Sequence, residues 1–336
     1  MEIANNSAFG RKVEVTIYVP DSSWSVVFTS NLLEGKQGLK INGTITKYFA
    51  VQPPKATIDI YNLSSVEVGN IMSARFRKVG DQYIEQPLCI KVMAGYVNGY
   101  YGEIFNGQIL KPNMMRPDPN NTVLRLTCID GAEFYSASSA LTQTFNEGLN
   151  FYAVAQQIKD NSDVDFSLQL SPTLKDIKVD GSFVGQNTLS GTYQAIADQT
   201  GTVFSFKDQT AKLATWAEMI NSVQDAFELT SQTGLIGIPS LSTDGIAIQS
   251  VLNPKLDVLN LIQLNNADIS IQQPDFLTNR TLGAWLASDG LYRIIELTHE
   301  FDTTTGSFAT TCRCLSRDYY NNILSVSTNS NTSGSR

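Results

Sequence analysis

Residues 290–315 read GLYRIIELTHEFDTTTGSFATTCRCL. Two runs rich in β-branched and aromatic residues, 290–301 and 306–315, flank the polar stretch between Phe301 and Ser307, the pattern of two strands joined by a turn. The segment also holds the only histidine in the chain, His299, three residues before Asp302, and two of the four cysteines, Cys312 and Cys314. It is therefore either a catalytic or metal-binding corner or the last β-hairpin of a structural protein. Much of the functional reading turns on which.

The chemical reading is weak on spacing. A histidine base needs a carboxylate that orients its ring and an activated hydroxyl beside it. Here His299 leaves a strand and Asp302 opens a turn, and no G-x-S-x-G elbow occurs in the chain. The expectation is that His299 packs or hydrogen-bonds at a strand end and that Asp302 forms the turn. Cys312 and Cys314 lie two apart, so in a strand both sulfurs share one face. A zinc site needs four ligands, and only His299 and the distant Cys128 are available as company. All four cysteines, Cys89, Cys128, Cys312 and Cys314, sit in apolar frames and are read as reduced, buried thiols. Asp163 and Asp165, beside a helix end, read as a solvated turn rather than a glycosidase pair. No dinucleotide or P-loop glycine motif occurs. The sequence offers no catalytic, cofactor-binding or metal-binding residue.

Composition agrees with a scaffold. The 336 residues suggest two or three domains, and only 17% are charged, below the usual quarter. The formal net charge is −8, which disfavours non-specific adhesion to nucleic acid. The densest basic group, Arg75, Arg77 and Lys78, reads as a solvated loop or helix end. The start, MEIANNSAFGRKV, has no apolar run and reads as lacking a secretory signal. No stretch approaches the length of a membrane span.

Alternating patterns predict strands over 11–19, 39–48, 55–62, 88–96, 103–110 and 122–130. A short helix is expected after Ser64 or Ser65. Residues 73–87 read as a polar, irregular insertion, and 111–121, KPNMMRPDPNN, as a Pro/Asn loop. The middle third changes period: 146–162 and 188–201 carry apolar residues at helical spacing, the second ended by Gly201. A hairpin over 202–216 follows, turning at Lys207–Gln209. Strands return at 245–252, 256–264, 290–301 and 306–315. The tail beyond about Ser325 is Ser/Asn-rich and reads as disordered. The segment pairs near residues 130 and 315 resemble each other faintly, as a duplicated β-unit would.

Several short stretches together carry a family likeness: KATIDIYNLS (55–64), IKVMAGY (90–96), EIFNGQIL (103–110) and LRLTCIDG (124–131), then TGLIGIPS (233–240), VLNPKLDVLNLIQL (251–264) and the opening segment. In this order and spacing the chain resembles the bacteriophage tail baseplate hub proteins. It departs from the family pattern at Phe301 and Phe308, where a glycine and often a tryptophan are usual, and at Leu259 and Asn260, where a glycine is common.

The resemblance implies a mainly β fold with an α+β insert. Its parts would be a tube-type β-barrel over 1–135, an α+β region over 136–225, a second tube-type β-barrel over 226–320 and a flexible tail over 321–336. It implies a homotrimer in the virion tail, assembled in the host cytoplasm. The trimer would bind a tail tube or tube-initiator protein above, a central spike below and wedge proteins outside, with tape-measure protein and DNA passing through its lumen. No sequence-specific nucleic-acid binding and no enzymatic activity are expected. Two other readings compete. One is a receptor- or glycan-binding tail tip using Tyr96, Tyr100 and Tyr101, and the other a tail-associated cell-wall hydrolase using His299.

Overall fold

The computed structural model describes residues 10–316, except 21, 31–37, 50–51, 137–138, 140–141, 186–187, 221–224, 243–244 and 272–285. The expected flexible tail, 321–336, lies outside the described residues. The chain is mainly β. Its first strands are β1 (Arg11–Tyr18), β2 (Ser25–Thr29), β3 (Ile41–Tyr48) and β4 (Lys55–Tyr61). Helix α1 (Ser65–Ala74) starts at Ser64, whose side chain and that of Glu67 close a reciprocal capping box. Strands β5 (Phe76–Val79) and β6 (Gln82–Glu85) follow, then β7 (Cys89–Tyr96), β8 (Tyr101–Asp118) and β9 (Asn121–Ile129).

The middle region comprises α2 (Ala132–Tyr135), β10 (Gln143–Asn146), α3 (Phe151–Asp160), β11 (Ser167–Leu170), β12 (Ser182–Gly185), α4 (Leu189–Thr200), β13 (Val203–Lys207), β14 (Thr210–Ala214) and α5 (Trp216–Ile220). The last part holds β15 (Phe227–Glu228), β16 (Leu235–Ser242), β17 (Gly245–Val251), β18 (Leu261–Gln263), β19 (Ser270–Ile271), β20 (Leu291–Asp302) and β21 (Phe308–Ser316).

Fourteen strands form one large, mostly antiparallel sheet, whose main path runs β19-β16-β17-β21-β20-β3-β4-β9-β8-β7-β1-β2. Among the described residues no ladder joins the two ends of this path. Two apolar cores hang on it. The first gathers β1, β3, β4, β7, β8 and β9, with Ile71 of α1, around Val13, Ile45, Ile58, Ile90 and Leu126. The second gathers β16 to β18, β20 and β21 with Met219 of α5, around Ile246, Ile262, Tyr292 and Leu297. A third core, rich in stacked aromatics around Phe134, belongs to the middle region.

The structure corrects four local expectations. Residues 73–87 are not an irregular loop: after α1 ends, β5 and β6 pair as a two-stranded hairpin. The 111–121 stretch is not a loop either. Strand β8 continues through it to Asp118, because register shifts against β9 accommodate the prolines. The strand expected over 256–264 shrinks to β18, preceded by turns around Asn253–Asn260. Strand β2 lacked a clear alternation and was not anticipated.

Candidate functional site

The opening segment is the hairpin β20–β21, and it is where the two cores meet. A register shift between Ile294 and Glu296 is a bulge that changes the phase of alternation along β20. Before it Tyr292 and Ile294 point inward; after it Leu297, His299 and Phe301 do. The facing residues of β21, Cys314, Cys312, Thr310 and Phe308, alternate without interruption. Ile294, Leu297, Cys312 and Cys314 belong to the second core. Phe301 and Phe308 belong to the first. Between them lies one polar pair, His299 and Thr310, both fully buried.

His299 Nδ1 shares a hydrogen bond of 2.8 Å with Thr310 Oγ1. Thr310 Oγ1 also accepts from the backbone N–H of Asn253 at 3.1 Å. Burial drives the imidazole down to about 3, with the nearby charge of Lys47 adding to the shift and Asp257 opposing it. The ring is therefore neutral at physiological pH. Asp302 is elsewhere: its Oδ1 accepts from the Thr304 N–H and hydroxyl, both at 2.7 Å. Burial raises the Asp302 carboxyl, but those bonds and Lys40 outweigh it, and the group sits below its usual range. The structure does not bring His299 and Asp302 together.

The turn that holds Asp302 is clamped by the first core. Arg11 Nη1 donates to the carbonyls of Asp302 and Gly306, both at 2.8 Å, and its guanidinium lies 5.3 Å from the centre of the Phe308 ring. Cys312 and Cys314 share the inner face, as their spacing requires, and burial holds both thiols well above the usual range. Cys128 sits in the first core. Among the described residues no group of three or more His, Cys, Asp or Glu side chains is placed to hold a metal ion. Asp163 and Asp165 lie in the turn after α3.

Beside the hairpin is a charged node that ties the middle region to the sheet. Lys47, on β3, reaches Asp257 Oδ1 at 3.2 Å, and Lys207, at the end of β13, reaches Asp257 Oδ2 at 2.6 Å. Burial pushes the Asp257 carboxyl up, but Lys47, Lys207 and the Val258 N–H pull it below its usual range. Asp130, just past β9, accepts from the Asp208 N–H at 3.0 Å. Asp208 and Gln209 both have positive φ, 48° and 58°, the left-handed pair that a two-residue hairpin turn demands. Burial, with Asp208 adding to it, raises the Asp130 carboxyl to about 6. Gly131 is next, at φ 69°; an added Cβ would lie 2.2 Å from Phe206 Cε1.

Sequence reasoning did not single out Lys47, Asp130, Lys207 or Asp257. One signal was available. Lys47 occupies the same phase of β3 as Ile41 and Ile45, so an alternating strand carries a lysine on its inward face. Tyr96, Tyr100 and Tyr101 do not form an exposed platform. Tyr96 packs edge-on to Phe308, Tyr100 on Phe227 and under Lys255, and Tyr101 under Lys12.

Comparison with protein families gives a match to the baseplate hub gp41 family over residues 12–268, most of the chain. The chain belongs to that family. This hub-family protein has the fold of tail proteins at low sequence identity. The 43 kDa tail protein of prophage MuSo2 from Shewanella oneidensis is 8% identical, with a TM-score of 0.52 over 91% of this chain and 97% of that one. A tail protein from Neisseria meningitidis MC58 is 10% identical, with a TM-score of 0.54 over 91% and 97%. The PdpA–VgrG complex of Francisella, half-lidded, contains a chain 10% identical, with a TM-score of 0.54 over 94% of this chain and 59% of that one. Comparison with curated proteins gives no match. No helix among the described residues is long and apolar enough to cross a membrane.

Proposed function

We propose that this baseplate hub protein works as a non-enzymatic, trimeric adaptor between a six-fold tail tube and a three-fold spike. The observation that carries the reading is the pair of cores on one continuous sheet, joined through β20. Each core would be one tube-type unit, so three copies would present six to the tube and three equivalent lower faces to the spike. The units would follow the divisions 1–135 and 226–320, with 136–225 outside the ring and available to wedge proteins. The lumen would pass tape-measure protein and then DNA. A net charge of −8 favours a wall that does not hold a polyanion.

Engagement of His299 with a buried threonine, and of Asp302 with its own turn, argues against the hydrolase reading. The packing of the three tyrosines argues against a sugar-stacking platform. Light scattering behind size exclusion tests the proposal: a mass of three chains, alone or on adding the spike, supports it. A chain that stays monomeric with every tail partner overturns it.

A further inference from the structure

Hairpin β5–β6 has every residue exposed on both strands. It forms a sheet of its own and, among the described residues, pairs with no other strand. A two-stranded ribbon is marginal in water unless something covers it. This one nevertheless presents Phe76, Val79, Tyr83 and Ile84, at 50%, 45%, 72% and 49% exposure. It stands beside the end of β1, where Val19, Pro20 and Ser22 share a groove with Phe76 and Ile84. Arg75 pairs with Glu85 at its base, whereas Arg77 and Lys78 make no ion pair among the described residues. An acidic chain thus carries two cations without ion pairs on an apolar arm.

The complementary surface lies at the other end of the sheet. A groove of about 650 Å³ runs along β16 and the turn before β19, floored by Leu229, Leu235, Leu264 and Ile269, with Ile238 beside them at 71% exposure. Among the described residues its rim and the adjoining hollow carry Asp268, Glu228 and Asp289 and no lysine or arginine. None of these carboxylates forms an ion pair among the described residues. The arm stands at the β1–β2 end of the sheet path and the groove at its β16–β19 end, and among the described residues no hydrogen bond or ion pair connects them within one chain.

We infer that the β5–β6 arm of one copy seats in the β16–β19 groove of the next. Phe76, Tyr83 and Lys78 share one face of the ribbon and Val79, Ile84 and Arg77 the other, so the arm enters with apolar side chains for the floor and a cation for the acidic rim on each side. The contact joins two different surfaces, so it repeats head to tail and forms a closed ring where the rotation permits. The inference rests on the trimer reading and names the surfaces that would build it.

The test is light scattering of the full chain and of three variants. Tyr83→Ser with Ile84→Ser removes exposed apolar contacts and is expected to give monomer at concentrations where the unaltered chain is trimeric. Arg77→Glu with Lys78→Glu is expected to raise the concentration for trimer dissociation at least about tenfold. Adding Glu228→Lys and Asp268→Lys to that chain is expected to restore assembly, which a merely misfolded variant would not do. Unchanged trimers in the first two variants overturn the arm-in-groove contact and leave the trimer standing. Failure of the charge exchange to restore assembly overturns the pairing of these two surfaces. A monomeric unaltered chain overturns the trimer and this contact with it.

Discussion

His299 and Asp130 give opposite pH dependences, and their signs follow from which form the fold excludes. The imidazole falls from 6.5 to about 3, so the unfolded chain takes up a proton that the native state refuses. Stability from this group is full above about pH 6.5 and declines toward pH 3, by at most about 1.4 kcal/mol per pH unit. Asp130 rises from 3.8 to about 6, so its penalty is absent below 3.8 and complete above about 6. Thermal melts across pH 3–8 should therefore show His299→Gln flattening the acid limb. Asp130→Asn should stabilise by roughly 1–3 kcal/mol at neutral pH and do little below pH 4. An Asp130→Asn chain no more stable at pH 7 than at pH 4, relative to the unaltered one, would contradict the burial argument. Leu259 is a second local case. Its φ is 71°, which costs a non-glycine residue about 1–2 kcal/mol, and the fold sustains it by bonding Arg293 Nη1 to its carbonyl at 2.6 Å. In urea titrations Leu259→Gly should change stability by less than about 1 kcal/mol, because relief of strain offsets lost packing. Leu256→Gly, at a position 1% exposed, should cost several times more.

At the scale of elements, the bulge in β20 and the β13–β14 turn decide how the parts dock. Without the phase change at Ile295, His299 and Phe301 would face away from the cores. The turn is held by Asp130 on one side and by Lys207 and Asp257 on the other, and these polar contacts dock the middle region together with Gly131 and the packing of Ala214, Met219 and Trp216 on the second core. Gly131→Ala combines a left-handed backbone with a collision against Phe206 and should destabilise by at least about 2 kcal/mol. Asp257→Asn leaves Lys47, only 9% exposed, without its charge partner and should cost about 3 kcal/mol. Denaturant unfolding of each variant reads these values. A neutral Asp257→Asn would mean that solvent already satisfies Lys47.

Across the whole molecule, β20 bonds to β21 on one side and to β3 on the other, over Tyr48 to Asn42. The two sheet cores therefore share backbone hydrogen bonds and should unfold together. The middle region has its own core and joins the others through the charged node and through Ala214, Met219 and Trp216, which pack into the second core. Hydrogen exchange should show β3, β20 and β21 opening with one common free energy, and the third core opening at a lower one. Asp257→Asn should lower the second value more than the first. Equal protection throughout would show that the node couples all three cores.

The sequence by itself determined the elements with strong periodicity and clean boundaries. The strands around 11–19, 55–62 and 88–96, helices α3 and α4, and the final hairpin follow from alternation, helical spacing and Gly201 as a stop. It also determined the family, through short stretches in a fixed order. Tertiary structure alone decided that the final hairpin belongs to two cores, because a one-residue bulge leaves no mark in composition. It decided that 73–87 is a paired hairpin, since exposed strands lack the apolar alternation that reveals buried ones. It brought Lys47, Asp257, Lys207 and Asp130 to one node from four distant segments. Charges attract through space, and their separation along the chain carries no signal until the backbone has folded.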